Sequence, residues 1–156
     1  MQKLTTFLMF SEGAHEAMEY YTSVFKDGKI TGTMPGPDGK AMGGSFEIMG
    51  QEFKCFNGGP HFSFSQGMSI FITAESQDEI DHYYETLSDG GEKQPCGWLK
   101  DKFGVSWQVV PPVLFDLLSD PDREKAGRVM HAMFGMKKLD IAALETAAVN
   151  GGGTKL

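Results

Sequence analysis

The chain repeats itself, and that repeat limits its architecture more than any other feature. Offsetting the sequence by 63 positions lays Thr6 on Ser69, Glu12 on Glu75, Glu16 on Glu79, Tyr20-Tyr21 on Tyr83-Tyr84 and Gly28 on Gly91, without a gap. Self-similarity of this kind marks one supersecondary unit used twice. Each copy opens on a strand-like run, Lys3 to Phe10 and Met68 to Ala74. A helical stripe follows. It is Ala14, Ala17, Met18, Tyr21, Val24 and Phe25 in the first copy, and Ile80, Tyr84 and Leu87 in the second. The second stripe is preceded by a capping box, Ser76-Gln77-Asp78-Glu79. Asp27-Gly28 and Gly90-Gly91 end the helices. Strand-like pieces then occupy 29–34, 42–49 and 51–57, with a turn at Pro35 to Gly39 and a hairpin at Gly50. In the second copy they occupy 92–100 and 103–110, around a turn at Asp101-Lys102. Each copy reads as a β-α-β-β-β module.

From Pro111 onward the pattern is helical. Val113, Leu114, Leu117 and Leu118 make one short face. Asp120-Pro121 predicts a cap followed by proline at the first helical position, ahead of Ala126, Val129, Met130 and Met133. Asp140 predicts the cap of a last helix carrying Ile141, Leu144 and Ala148. The expected organisation is paired modules over 1–110 (about 3–57 and 68–110), a helical extension over 111–148 and a flexible tail over 149–156, Gly-rich from Asn150.

One helix covers only one face of a four-stranded sheet, so the other face is buried elsewhere or left as a cavity wall. Two such sheets joined edge to edge curve into a cup, a natural place for a small molecule. The expected fold is α+β: two tandem βαβββ modules forming a curved eight-stranded cup, with a C-terminal helical extension. Charge excludes other partners. Lys plus Arg is 14 against 21 Asp plus Glu, a net charge of −7. That balance opposes general nucleic-acid binding and anionic membrane surfaces. No apolar run has the length of a membrane span, and the N-terminus lacks signal-peptide zones. The two cysteines, Cys55 and Cys96, suggest no disulfide framework, and a cytoplasmic setting with reduced thiols is expected.

Five stretches carry a family resemblance: Phe7 to Phe10, Glu16 to Tyr21, Gly50-Gln51-Glu52-Phe53, Asn57 to Phe62, and Cys96 to Gln108. Together they resemble the PhnB-like branch of the vicinal-oxygen-chelate superfamily, the group of glyoxalase I, extradiol dioxygenases and bleomycin-resistance proteins. The branch is often labelled by the domain name 3-demethylubiquinone-9 3-methyltransferase. The resemblance is read as covering nearly the whole chain, helical extension included. It implies a homodimer and a small-molecule cup, and leaves the substrate open.

In metal-dependent members of that superfamily, ligands come from the first and last strands of each module. By that resemblance Thr6 and Ser69 take the first-strand positions, Gln108 the final one, and the fourth falls near Cys55 to Asn57. Thr, Ser and Gln are neutral, weak ligands, so no metal and no cofactor is expected. The predicted pocket residues are Thr6, Phe10, Cys55, Asn57, Ser69, Phe71, Trp98 and Gln108. The alternative is that Thr6, Ser69 and Gln108 only bond each other in a closed core. Two enzymatic readings stand beside the binding cup: a metal-dependent lyase or dioxygenase, and the methyltransferase of the label. The latter lacks a G-x-G-x-x-G nucleotide motif. Neither cysteine has a histidine adjacent in sequence, and both read as inert thiols. His15, His61, His82 and His131 form no helical metal pair, and His15-Glu16 lacks the second histidine of H-E-x-x-H.

Overall fold

The computed structural model describes residues 2–150, so residues 151–156 of the expected tail lie outside the described residues. The chain divides into two compact units, the first ending at Phe64 and the second beginning at Ser65.

In the first unit, β1 (Thr6–Phe10) leads to α1 (Ala14–Val24), then β2 (Lys29–Pro35), β3 (Ala41–Ile48) and β4 (Gln51–Asn57). The sheet order is β1-β4-β3-β2, with β1 parallel to β4 and the other pairs antiparallel. The parallel pair requires a crossover, and α1 supplies it. Ala14, Ala17, Met18, Tyr21 and Val24 are the buried stripe of α1. Tyr21 meets Phe46 with ring centroids 5.7 Å apart, and Phe46 stacks on Phe53 at 5.3 Å. Such an aromatic pair is worth about 1 kcal/mol beyond the area it buries. These contacts show which sheet face the helix covers. Register then assigns the rest, because Phe53, Cys55 and Asn57 lie opposite Thr6, Leu8 and Phe10. All six stand on the helix side. Phe7, Met9, Ser45 and Lys54 stand on the other.

The second unit repeats the topology with β5 (Ile70–Thr73), α2 (Gln77–Ser88), β6 (Glu92–Lys93), β7 (Trp98–Lys100) and β8 (Ser106–Val110), in the order β5-β8-β7-β6. Ser76 Oγ accepts from the Glu79 N–H at 3.1 Å, while the Glu79 carboxylate accepts from the Glu75 N–H at 2.7 Å. The predicted capping box is therefore formed, with its acid reaching one residue further back than the N-cap. Ile72, Leu99, Trp107 and Val109 of the sheet are buried with Ile80, Tyr84 and Leu87 of the helix.

Two expected strands are shorter than the sequence predicts. Pro95 has no N–H to give a ladder, and Pro95–Gly97 forms a 3-10 turn with Cys96 at φ 64. The N–H groups of Cys96 and Gly97 bond the carbonyls of Met136 and Lys137, each at 2.8 Å. Further on, the Asp101 carboxylate takes the N–H groups of Phe103 and Val105 at 2.9 and 3.0 Å, so the chain turns there and β8 starts only at Ser106.

The extension packs onto the end of β8. It comprises α3 (Pro112–Leu118), α4 (Arg123–Phe134) and α5 (Ile141–Val149). Val110 joins Leu114, Val129, Leu139, Leu144 and Ala148 in one buried cluster. Asp140 caps α5 through the Ala143 N–H at 3.0 Å. The cap of α4 is Asp122, not Asp120, and Pro121 precedes the helix. Asp120 instead accepts the Asp122 N–H at 2.9 Å, which turns the chain one step before the helix begins.

The offset of 63 holds for the helices, where Ala17, Tyr21 and Val24 match the buried Ile80, Tyr84 and Leu87. It fails for the first strands. Leu8 and Phe10 face α1, whereas Ile70 and Ile72 pair with Trp107 and Val109 on the α2 face. An odd offset would send Leu8 and Phe10 to Phe71 and Thr73, which are exposed. Strands alternate with period two, so only an even offset relates them.

Candidate functional site

In the second unit the predicted residues come together on the sheet face that α2 leaves uncovered. Gln108 lies between Phe71 on β5 and Trp98 on β7 in one row across the sheet. Its Nε2 donates to Ser69 Oγ at 3.0 Å. Neighbouring strands lie about 4.8 Å apart, so an amide–hydroxyl pair sits with an aromatic side chain about 5 Å to either side. The Gln108 carbonyl oxygen remains able to accept, and the Ser69 hydroxyl remains able to donate. Phe71 is 41% exposed, and Trp98 and Gln108 are half-buried.

The row is held from behind. Tyr84 donates its hydroxyl hydrogen to the carbonyls of Gln94 and Trp98, at 2.7 and 3.0 Å. Burial pushes the Tyr84 phenol up to about 12. The Trp107 indole N–H donates to Asp101 Oδ2 at 2.8 Å, fixing β8 against the turn. Trp107 is fully buried on the α2 side, as the alternation predicts when Gln108 faces away from the helix. Trp98 also walls a shallow groove of about 430 Å³ with Gln66, Glu92, Gln94 and Pro95. Sequence reasoning missed Phe115, whose ring lies 5.9 Å from Phe71. Its signal was present: an apolar residue off the Leu114, Leu117 and Leu118 stripe, 55% exposed. It also missed Lys100, which shares a strand face with Trp98.

Four of the predicted residues belong to the first unit. Thr6, Phe10, Cys55 and Asn57 stand on the face that α1 covers, not the uncovered one. Phe10 and Cys55 are buried in the core. Asn57 spends its side chain on the helix, its Oδ1 accepting the Ala14 N–H at 2.8 Å. Thr6 shares that face at the strand's exposed start. The uncovered face of this sheet carries Phe7, Ser45 and Lys54 around a groove of about 260 Å³.

Burial raises the Cys55 thiol to about 11, so it is not a nucleophile at neutral pH. His15 Nδ1 accepts the Ala41 N–H at 3.2 Å, and Nε2 lies 3.3 Å from Glu19. Glu19 is exposed, and the half-buried His15 ties α1 to the start of β3. Among the described residues, no group of three or more His, Cys, Asp or Glu side chains is arranged to hold a metal. The superfamily's metal does not fit the positions the resemblance named. They hold a serine and a glutamine that bond each other, and a threonine on the far face. No helix among the described residues is long and apolar enough to cross a membrane.

Comparison with known proteins follows this architecture. Residues 2–110 match the family model described as 3-demethylubiquinone-9 3-methyltransferase. A solved structure from Bacillus cereus, described by the same methyltransferase label and as a PhnB protein, is 35% identical. It aligns over 70% of this chain and 99% of its own, with a TM-score of 0.63. Protein PA1353 from Pseudomonas aeruginosa is 18% identical over 71% of this chain and 98% of its own, with a TM-score of 0.58. A gene product from Arabidopsis thaliana is 16% identical over 70% and 98%, with a TM-score of 0.51. The last two show the fold alone. No curated protein matches the chain. The family match ends where β8 ends, so the expectation that it includes the helical extension is corrected: α3, α4 and α5 lie beyond it.

Proposed function

Since the chain belongs to the 3-demethylubiquinone-9 3-methyltransferase domain family, the PhnB-like branch of the vicinal-oxygen-chelate superfamily, we propose that it binds a small, partly apolar molecule without a catalytic metal, on the second sheet. The observation that carries this reading is the Gln108–Ser69 hydrogen bond set in a row between Trp98 and Phe71. A polar pair with one free acceptor and one free donor orients a ligand, and flanking rings supply the apolar contact. Gln108 and Ser69 are the orienting groups, and Phe71 and Trp98 are the walls. Neither sheet is doubly wound, and the sequence has no glycine fingerprint for a nucleotide, which weighs against the methyltransferase of the family name. Acidic composition and free thiols support a cytoplasmic setting, and the family resemblance supports a homodimer.

Native mass spectrometry of protein purified without added metal tests all of this together. The expected spectrum shows a dimer carrying a small organic adduct, with no stoichiometric metal. Gln108→Leu should lose the adduct and keep the circular dichroism spectrum of the parent. Stoichiometric zinc, nickel, iron or manganese would overturn the metal-free reading in favour of a lyase or dioxygenase. Saturable binding of S-adenosylmethionine would restore the methyltransferase. An adduct retained by Gln108→Leu would move the site off this row.

A further inference from the structure

We propose that Phe115 of the helical extension determines specificity at the binding site proposed on the second sheet, a reading on which this role rests, and that the site takes a flat, fused-ring lactam. Nothing in α3 itself calls for an aromatic ring at this position. Leu114 is buried in the cluster beneath the extension, and Leu117 and Leu118 pack against that cluster. Successive residues of a helix are about 100° apart, so Phe115 points off that stripe, and it is 55% exposed. Its ring rests instead on Phe71, with centroids 5.9 Å apart and planes inclined at 40°. The pair is neither stacked nor edge-on, and Phe71 keeps 41% of its surface exposed. Two rings in contact thus still present open surface beside the Gln108–Ser69 pair, covered neither by the core nor by each other.

The polar pair sets the edge of the ligand. Gln108 Nε2 is spent on Ser69 Oγ, which leaves Gln108 Oε1 to accept and the Ser69 hydroxyl to donate. An acceptor beside a donor is complementary to a lactam, whose N–H and C=O lie side by side on one edge. Such a ligand gives its N–H to Gln108 and takes the Ser69 hydrogen on its carbonyl. The aromatic surface sets the rest. Phe71 neighbours Gln108 on β5, and Trp98 neighbours it on β7. Phe115 meets Phe71, so two rings stand together at the β5 end of the row. A ring fused to the lactam at that end covers apolar surface that an isolated lactam leaves open. The family match ends at residue 110, before α3 begins at Pro112, so this wall comes from a part of the chain that the family model does not describe.

The test uses two lactams that differ only by the fused ring, oxindole and pyrrolidin-2-one, titrated into the isotope-labelled full chain and followed by amide chemical shifts. Oxindole should shift Phe71, Gln108 and Phe115 saturably and bind about tenfold more tightly than pyrrolidin-2-one. Phe115→Ala should cut that preference to about twofold, and Phe115→Trp should restore it. The ratio between the probes would not move if Phe115 only held α3 in place. Gln108→Leu should weaken both lactams alike. A preference unchanged in Phe115→Ala, with both lactams weakened by Gln108→Leu, would overturn the role of Phe115 and leave the site on the second sheet standing. Binding of both lactams undiminished in Gln108→Leu would overturn the site, and the role of Phe115 with it. If the parent protein binds neither lactam, the ligand class is wrong and the proposal falls, while the adduct in the native mass spectrum still judges the site.

Discussion

The two units share a sheet order and a helix register, yet they finish their elements by different means. In the first, α1 begins at Gly13, which lies at φ 90 and offers no side chain, so the cap comes from Asn57 on β4. In the second, Ser76 caps α2 from the adjacent position. The β3–β4 connection is two residues, Met49 and Gly50, both at positive φ. The β7–β8 connection is longer and is organised by Asp101. The first unit relies on backbone conformation and a distant cap, the second on local polar side chains. The same topology therefore tolerates different substitutions in each copy.

Asp101 is where that contrast breaks most severely. It is 2% exposed and accepts three bonds, from the Phe103 and Val105 N–H groups and the Trp107 indole. Asp101→Ala removes the carboxylate acceptor of these three buried or half-buried N–H groups. The expected cost is on the order of 3–5 kcal/mol. Urea denaturation followed by Trp107 fluorescence measures it. No single turn residue of the first unit should cost as much, and a loss below about 1 kcal/mol at Asp101 would refute its role as organiser.

Alkaline pH separates the units by a different route. Burial holds the Cys55 thiol of the first at about 11, above its ordinary 9.0, and the Tyr84 phenol of the second at about 12, above 10.0. Both folded-state values are raised, so folding favours the protonated form. The stability this contributes is complete below the unfolded value and is lost as pH climbs to the folded one. Cys55 should begin to cost stability above pH 9 and Tyr84 above pH 10, each on the order of 2 kcal/mol at the top of its window. In Cys55→Ala, whatever its absolute stability, the decline between pH 9 and 11 should be shallower than in the parent. An unchanged slope would assign that decline elsewhere.

Where sequence and structure part follows from this difference between the units. Both helices were legible because a stripe at spacing three and four survives small errors in the boundary, as Tyr21 and Tyr84 show. On the second sheet, alternation alone puts Ser69, Phe71 and Gln108 on one face once Trp107 lies under α2. On the first, the resemblance named Thr6 and alternation carried Phe10 with it, onto the face that α1 covers, because the offset of 63 breaks between the first strands. The signal for the break was Gly13. Its φ of 90 marks a loop that differs from the Glu75-Ser76 junction, and only a glycine there takes that conformation without strain. That Phe115 meets Phe71 was illegible, because it depends on which elements meet, which no local period encodes.

The caps turn the comparison into a paired measurement. Asn57→Ala removes the acceptor for the Ala14 N–H and leaves Gly13 with nothing in its place, at an expected cost of about 1–2 kcal/mol. Ser76→Ala should cost about 1 kcal/mol or less, because Asp78 and Glu79 still favour the start of α2 electrostatically. Thermal unfolding of both variants checks the order. A reversal would mean that α1 does not depend on its distant cap. Binding on the second sheet should survive Asn57→Ala, since the Asn57 side chain points to α1.

The smallest effect is a gain, and it isolates backbone conformation from every contact. Met49 is 47% exposed and holds φ 50 in a two-residue hairpin whose second residue, Gly50, holds φ 76. Positive φ at both positions is the pattern of the turn that Asn-Gly favours, and a methionine there carries the left-handed penalty of about 1–2 kcal/mol that asparagine largely avoids. The Met49 N–H bonds Asp27 Oδ1 at 3.0 Å through the backbone, so a side-chain change leaves that bond intact. Met49→Asn should therefore stabilise the protein by about 0.5–1 kcal/mol, seen as a higher urea midpoint at unchanged slope. The same substitution logic has no counterpart at Asp101, where the side chain rather than the backbone makes the turn. A gain at Met49 alongside a large loss at Asp101 is what two differently finished copies of one module require. A loss at Met49 would show that its side chain, not its φ, supports the hairpin.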